Sequence, residues 1–417
     1  MTNNDYVFYG QTTSLCEECL KPVEAKIIFE NNEVFYLKYC LEHKYQKTLI
    51  STDIEYFKRS RNVAEKTRRP IKISHTIEKG CPYDCGLCES HEQHTAMGIV
   101  EILDECNLKC PTCIAASFPG AGNIKSISTI ERMVDTLIKH EGVLDLLMVS
   151  GGEPTIHPQI FEVLDLVQKK EIKQIMLISN GVRIAKDLDF VEKLKKYKDN
   201  FEIYLQFDSL QSSVLKNIRG EDLSSVRRKA VENLERAEIH STLISVVKKG
   251  LNNFEMSDVI DFALKYKYVR GVTFQPCKIT GRNNGFQKEL DYITLSEVRQ
   301  QIIESSNFFT NENFIPHPLN PENICISYLQ KDINIENCTN LLFSNSFKNV
   351  DDLKKQMYFL KELDTDDIRY ENLFRVSIVS FLDKFNFCTS SVKKSCIHFV
   401  TDSDEIIPLD TYYMLYS

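Results

Sequence analysis

Nine of the fourteen cysteines lie within the first 113 residues, in short groups whose spacing suits metal ligation. Cys106, Cys110 and Cys113, with three and then two residues between them, stand directly after an apolar run that reads as a strand. Three thiolates so spaced hold three irons of a [4Fe-4S] cube and leave the fourth iron open to another ligand. Cys81, Cys85 and Cys88 repeat that spacing upstream, where an auxiliary [4Fe-4S] cluster is expected. Cys16 and Cys19 face Cys40 and His43 across hairpin-like sequence at 25–39. Three thiolates and an imidazole suit a tetrahedral Zn or Fe ion, and a site so saturated serves folding or electron relay. Metal ligation is favoured over disulfides because the start, MTNNDYVFYG, has no charged segment leading into an apolar export signal.

A second strand-like run ends in Ser150-Gly151-Gly152-Glu153-Pro154-Thr155. The paired glycines let main-chain groups approach a small ligand, and the Glu153 carboxylate suits its ammonium. Asn180 and Asp208 end later runs, where they are candidates to touch a ribose, adenine or substrate, although polar residues there also form turns. The auxiliary triplet needs a fourth ligand from farther along the chain. Cys325, in a proline-rich segment, is the expected one; Cys277 is the alternative, and Cys388 and Cys396 are further candidates. His91 and His94 suit ligation or hydrogen bonding near that cluster.

These residues need elements to hold them. From Ala96 onward, apolar runs of five to seven residues alternate with amphipathic segments, the pattern of βα units. Strands are expected at 98–103, 144–150, 174–179, 202–207, 240–247 and 270–275. Ser128 to Glu131 and Thr294 to Glu297 read as capping boxes, and Pro158 as a helix start. The fold class is α/β: a partial barrel of six βα units, with its chemistry at the C-terminal strand ends. The expected division is a metal-binding domain at 1–57, a connector and auxiliary cluster segment at 58–95, the barrel at 96–307, and an irregular C-terminal domain at 308–417. Residues 58–72 read as a basic, solvated helix and linker.

The chain has 417 residues, a net charge of −8 and 26% charged residues, a balance that disfavours nucleic acid as a partner. Its longest apolar runs are too short to span a membrane, so a cytoplasmic location is expected.

The cysteine triplet 106/110/113, the Gly-Gly-Glu-Pro turn after the second strand and six βα units in order resemble the radical S-adenosylmethionine (SAM) superfamily. The resemblance implies that SAM chelates the open iron and is cleaved to a 5′-deoxyadenosyl radical, with a reductant such as flavodoxin or ferredoxin. A closer resemblance is to the branch with archaeal tetraether lipid synthase and methanogen dihydropterin methyltransferase. It rests on a rubredoxin-like amino-terminal site and on GCPYDCGLCESHEQHT (80–95), YLQFDS (204–209), FQPCKITGR (274–282) and SCIHF (395–399). This implies alkylation or coupling of an unactivated carbon centre in a lipid, pterin-like or other small substrate. A maturase of a ribosomal peptide is the alternative enzyme, and a noncatalytic iron–sulfur scaffold or electron carrier the alternative of another class. Ala96, Ser395 and Asp410 stand where that branch implies cysteines, which reduces the expected auxiliary clusters to at least one.

Overall fold

The computed structural model describes residues 6–63, 69–331, 338–340 and 373–416. Val7–Leu15 (β1), Pro22–Glu30 (β2), Glu33–Cys40 (β3) and Lys44–Ser51 (β4) form an antiparallel sheet in chain order. Asn31 and Asn32, both at positive φ, make the two-residue turn of the expected hairpin. One face of the sheet buries Ala25, Ile27, Val34 and Tyr36 against Phe57 of the helix Ile54–Asn62. The basic connector therefore begins inside a helix that buries Tyr56, Phe57 and Ser60; its residues 64–68 lie outside the described ones.

Met97–Glu101 (β5), Leu144–Ser150 (β6), Ile172–Ser179 (β7), Phe201–Gln206 (β8), Ser241–Val247 (β9) and Val269–Pro276 (β10) are the six expected strands. They pair in parallel in chain order. The C-terminal region also supplies strands: Ile324–Lys331 (β11), Leu373–Val379 (β12), Ile397–Val400 (β13) and Ile406–Pro408 (β14). β12 lies parallel to β10, and β13 parallel to β5. Eight parallel strands thus stand side by side, with antiparallel β11 and β14 beyond them. A six-stranded partial barrel leaves two edges of unpaired N–H and C=O groups, and these late strands cover both.

Thr294 forms the expected capping box with Glu297. The helix Ile127–Glu141 instead starts on Ser126, whose hydroxyl accepts from the Thr129 N–H at 3.2 Å, two residues before the expected cap. The next helix, Ile160–Val167, begins two residues after Pro158, because the His157 ring accepts the Gln159 N–H and holds a turn there. No helix of the described residues is long and apolar enough to cross a membrane.

The amino-terminal sheet is tied to the barrel through buried charge. Lys38, 0% exposed, donates to the carbonyl oxygens of Leu15, Lys384 and Phe385 at 3.0–3.2 Å and stands 3.3 Å from Glu17. Glu17 in turn accepts from Lys288 at 2.7 Å. Removing the ammonium leaves three carbonyls without this donor and takes from Glu17 one of its two lysine partners. Lys38→Met is therefore expected to cost about 3 kcal/mol, within the range for breaking buried polar networks. A lower urea midpoint would register it, and an unchanged midpoint would show that the network contributes nothing.

Candidate metal and cavity site

The ligand atoms of Cys16, Cys19, Cys40 and His43 all lie within 4.8 Å of one another. Cys16 Sγ is 3.4 Å from His43 Nδ1, and Cys19 Sγ is 3.9 Å from Cys40 Sγ. A tetrahedron with Zn–S bonds of about 2.3 Å has edges of about 3.8 Å, so the four donors fit one ion. Tight turns at the ends of β1 and β3 set them there, with Leu20 and Lys44 at positive φ. The His43 backbone N–H, followed by its imidazole, lowers the Cys40 thiol to about 6. Protons compete with a bound ion for that thiolate, so the ion should leave on acidification, at a pH below the value of the metal-free thiol. A chelating dye would follow the release; full retention at about pH 4, two units below that thiol, would contradict the assignment.

Cys106, Cys110 and Cys113 lie in the loop after β5, and the glycine turn after β6 holds that loop. The Gly152 N–H donates to Leu103 O at 2.9 Å and the Glu153 N–H to Glu105 O at 3.0 Å. A Cβ on Gly151 would sit 2.3 Å from Leu103 O, and one on Gly152 2.1 Å from Glu105 O. The paired glycines thus make room for the cysteine loop, a closer need than the small-ligand approach read from the sequence. Across the loop, Arg282 donates to the carbonyls of Cys110, Ala116 and Ser117 at 2.6, 2.9 and 2.6 Å. Burial pushes the Cys106 thiol up to about 12, with Glu153, Cys110 and Cys113 adding to the rise, and burial also raises Cys110. Three mutually interacting thiols in a sheltered loop are the donor set a cube needs.

Beside the loop, at the C-terminal ends of the strands, lies a cavity of about 220 Å³. Cys113, Gly151, Gly152, Arg219, Cys277 and Tyr413 line it. The other expected cofactor residues face elsewhere. Glu153 spends its carboxylate on the Thr155 and Ser179 hydroxyls and the Asn180 N–H, at 2.5, 2.9 and 2.6 Å, and so joins the ends of β6 and β7. Pro154 opens a short helical turn, with Glu153 as its cap. Asn180 donates to Asn107 Oδ1 at 2.6 Å and reaches within 4.0 Å of Cys106 Sγ. Asp208 accepts two bonds from Arg219, at 2.7 and 2.6 Å, which hold its carboxyl below the ordinary range despite burial. The charged groups lining the cavity are Arg219 and Lys278, and sequence reading missed Arg219 because nothing local marks the last residue of the helix Ser212–Arg219.

In the upstream triplet Cys81 and Cys85 share a hydrogen bond, which lowers Cys81 and raises Cys85. The loop packs on Leu15, Leu382, Phe387 and Val392. Cys325 is not brought to it. That side chain is fully buried in the barrel core, because β11 turns it to the apolar side of the sheet. Cys277 accepts from Asn283 Nδ2 at 3.3 Å, Cys388 meets the Thr12 hydroxyl at 3.1 Å, and Cys396 packs among Ala96, Ile397 and Leu409. His91 Nε2 lies 2.9 Å from Ser395 O, and His94 Nδ1 lies 3.1 Å from Glu141 Oε2, both hydrogen-bonding positions. Asp410 accepts the Leu382 N–H at 2.9 Å and the Ser395 hydroxyl donates to Ile397 O at 3.5 Å, so two of the residues standing in place of cysteines hold main-chain groups.

Residues 100–263 match the model of the radical SAM superfamily, and residues 8–52 that of the HMPTM N-terminal zinc ribbon domain. The chain is 27% identical to the 7,8-dihydro-6-hydroxymethylpterin dimethyltransferase of Methanocaldococcus jannaschii, over 97% of this chain and 94% of that protein. It is 36% identical to the antilisterial bacteriocin subtilosin biosynthesis protein AlbA of Bacillus subtilis, over 29% of this chain and 26% of that one. Among solved structures, Streptococcus suis SuiB aligns over 50% of this chain and 45% of its own, with a TM-score of 0.41 and 19% identity.

Proposed function

We propose that the chain is a radical SAM enzyme, a reading that the match of residues 100–263 supports, and that it alkylates or couples an unactivated carbon centre of a pterin-like, lipid or other small substrate. The observation that carries this reading is the cysteine loop set by a glycine turn at the mouth of one cavity. Cys106, Cys110 and Cys113 would hold a [4Fe-4S] cluster, and Cys81, Cys85 and Cys88 three irons of an auxiliary one. With SAM bound to its open iron and one electron supplied, such a cluster furnishes a 5′-deoxyadenosyl radical.

The chain's own residues do the rest. Arg219, fixed by Asp208, presents a guanidinium to the cavity, where it can pair a carboxylate or phosphate of a bound molecule. Gln206, Gln275 and Thr280 add neutral hydrogen-bonding groups, and Ile99, Met148, Ile178, Ile244, Phe381 and Phe399 give apolar walls that exclude water from a reactive carbon. Glu153 and Asn180 brace the cysteine loop from behind. The dimethyltransferase relative supports methyl transfer within this reading.

The test is anaerobic reconstitution with iron and sulfide, followed by dithionite and SAM. Formation of 5′-deoxyadenosine and methionine is the expected result; intact SAM in the presence of a fully loaded, reduced protein would end the proposal.

A further inference from the structure

The cavity beside the cysteine loop is the outer of two. A second, of about 170 Å³, lies toward the N-terminal ends of the strands, and the two share Met97, Met148, Tyr204, Val379 and Ile397 as walls. Side chains on one face of a strand recur at every second residue, so single strands run past both chambers. On β8, Glu202 lines the inner chamber, Tyr204 both, and Gln206 the outer. On β7, Gln174 and Met176 line the inner chamber and Ile178 the outer. Cys113 and Arg219 belong to the outer chamber alone.

The inner chamber ends in polar groups that carry no net charge. Glu202, 2% exposed, accepts the Thr242 hydroxyl through Oε1 and stands 3.8 Å from Arg375 Nη2, which also donates to Thr242 Oγ1 at 3.0 Å. The hydroxyls of Thr273 and Ser377 bond each other at 2.9 Å. His317 Nδ1 accepts the Leu319 N–H at 3.2 Å, which leaves the ring proton on Nε2, and burial brings this imidazole down to about 4, so that it is neutral. Among the described residues, neither Glu202 Oε2 nor the Gln174 side-chain amide has a hydrogen-bond partner. An acceptor, an amide and an imidazole N–H thus line a chamber whose other walls include Leu146, Met176 and Ile326. A few placed polar groups among apolar ones are what a small-molecule site needs.

We infer that the inner chamber is the substrate's binding site, and that it takes an uncharged planar ring whose amide-type N–H and C=O groups pair with Glu202, Gln174 and His317. The inference deepens the radical reading above and rests on it. SAM belongs in the outer chamber, which Cys113 and Arg219 line, and the shared walls at Met148 and Tyr204 let a ring seated on Gln174 and Glu202 present its far edge toward the cysteine loop. A lipid chain in the same place would leave the three polar groups buried and unpaired, and a charged group would meet a carboxylate and guanidinium that already offset each other.

Pterin, a fluorescent ring with such an edge, and palmitate, a chain without one, are the probes. Both are titrated into the reconstituted full-length protein without reductant, so that binding is scored apart from SAM cleavage. Wild type should bind pterin in the presence of saturating SAM. Glu202→Gln, which puts an N–H₂ donor beside the acceptor, and Gln174→Leu, which removes the amide, should each weaken pterin at least tenfold while SAM still binds by calorimetry. Displacement of pterin by SAM, unchanged pterin affinity in both variants, no pterin binding to wild type, or tighter binding of palmitate would each overturn the assignment. If Glu202→Gln loses both ligands, Gln174→Leu decides, and loss of both ligands there too would show one undivided site and overturn it as well. Pterin binding as expected with no 5′-deoxyadenosine formed under reduction would leave the inner site standing and overturn the radical reading instead.

Discussion

Gly152→Ala should leave the zinc ribbon loaded and cut SAM cleavage by about 10²-fold, the loss that goes with an ångström-scale displacement in an active site. The added Cβ would fall 2.1 Å from Glu105 O, 2.6 Å from Glu105 C and 2.7 Å from Asp104 O. All three are main-chain atoms of the cysteine loop, so no side chain can swing aside. The loop must lift, and with it the three thiols. Iron and sulfide content together with the rate of 5′-deoxyadenosine formation measure the effect. Gly10→Ala, with nothing within 4 Å of its Cβ, is the control. Equal rates for the two variants would show that the close approach after β6 does not position the cluster.

Replacing Cys106, Cys110 and Cys113 together by alanine should abolish cleavage and lower iron by about four per chain, the content of one cube. The two remaining cysteine groups are separate in space and should keep their metal. Mössbauer spectra with iron and sulfide analysis would separate the sites. Persistent 5′-deoxyadenosine formation by the triple variant would place the reactive cluster elsewhere.

Much of this arrangement was legible in the residues. The six central strands were readable because each is a short apolar run buried on both faces, as in β6, where all seven residues are buried. The ribbon was readable because ligand pairs at tight turns have few other uses. Both edge strands of the parallel set escaped notice, since β12 and β13 pair with β10 and β5 across long stretches of sequence. Spacing placed the thiols but not their supports. Glu153 carries the motif yet points away from the cavity, while Arg219 faces the cavity with no motif to mark it. The same holds for Tyr413, which reaches the cavity only because the chain's last strands return to β5. Cys325 shows the converse error: a cysteine in a proline-rich segment suggested a ligand, and the strand direction of β11 buried it in the core.

The account stands most directly on whether SAM meets a cluster held by the loop after β5. Low-temperature electron paramagnetic resonance of the dithionite-reduced, reconstituted protein, recorded with and without SAM, tests this. A reduced-cluster signal whose g values shift on adding SAM, and whose shift disappears in the Cys106/Cys110/Cys113 triple-alanine variant, is the predicted result. A signal indifferent to SAM, or a shift that survives in the triple variant, would contradict it.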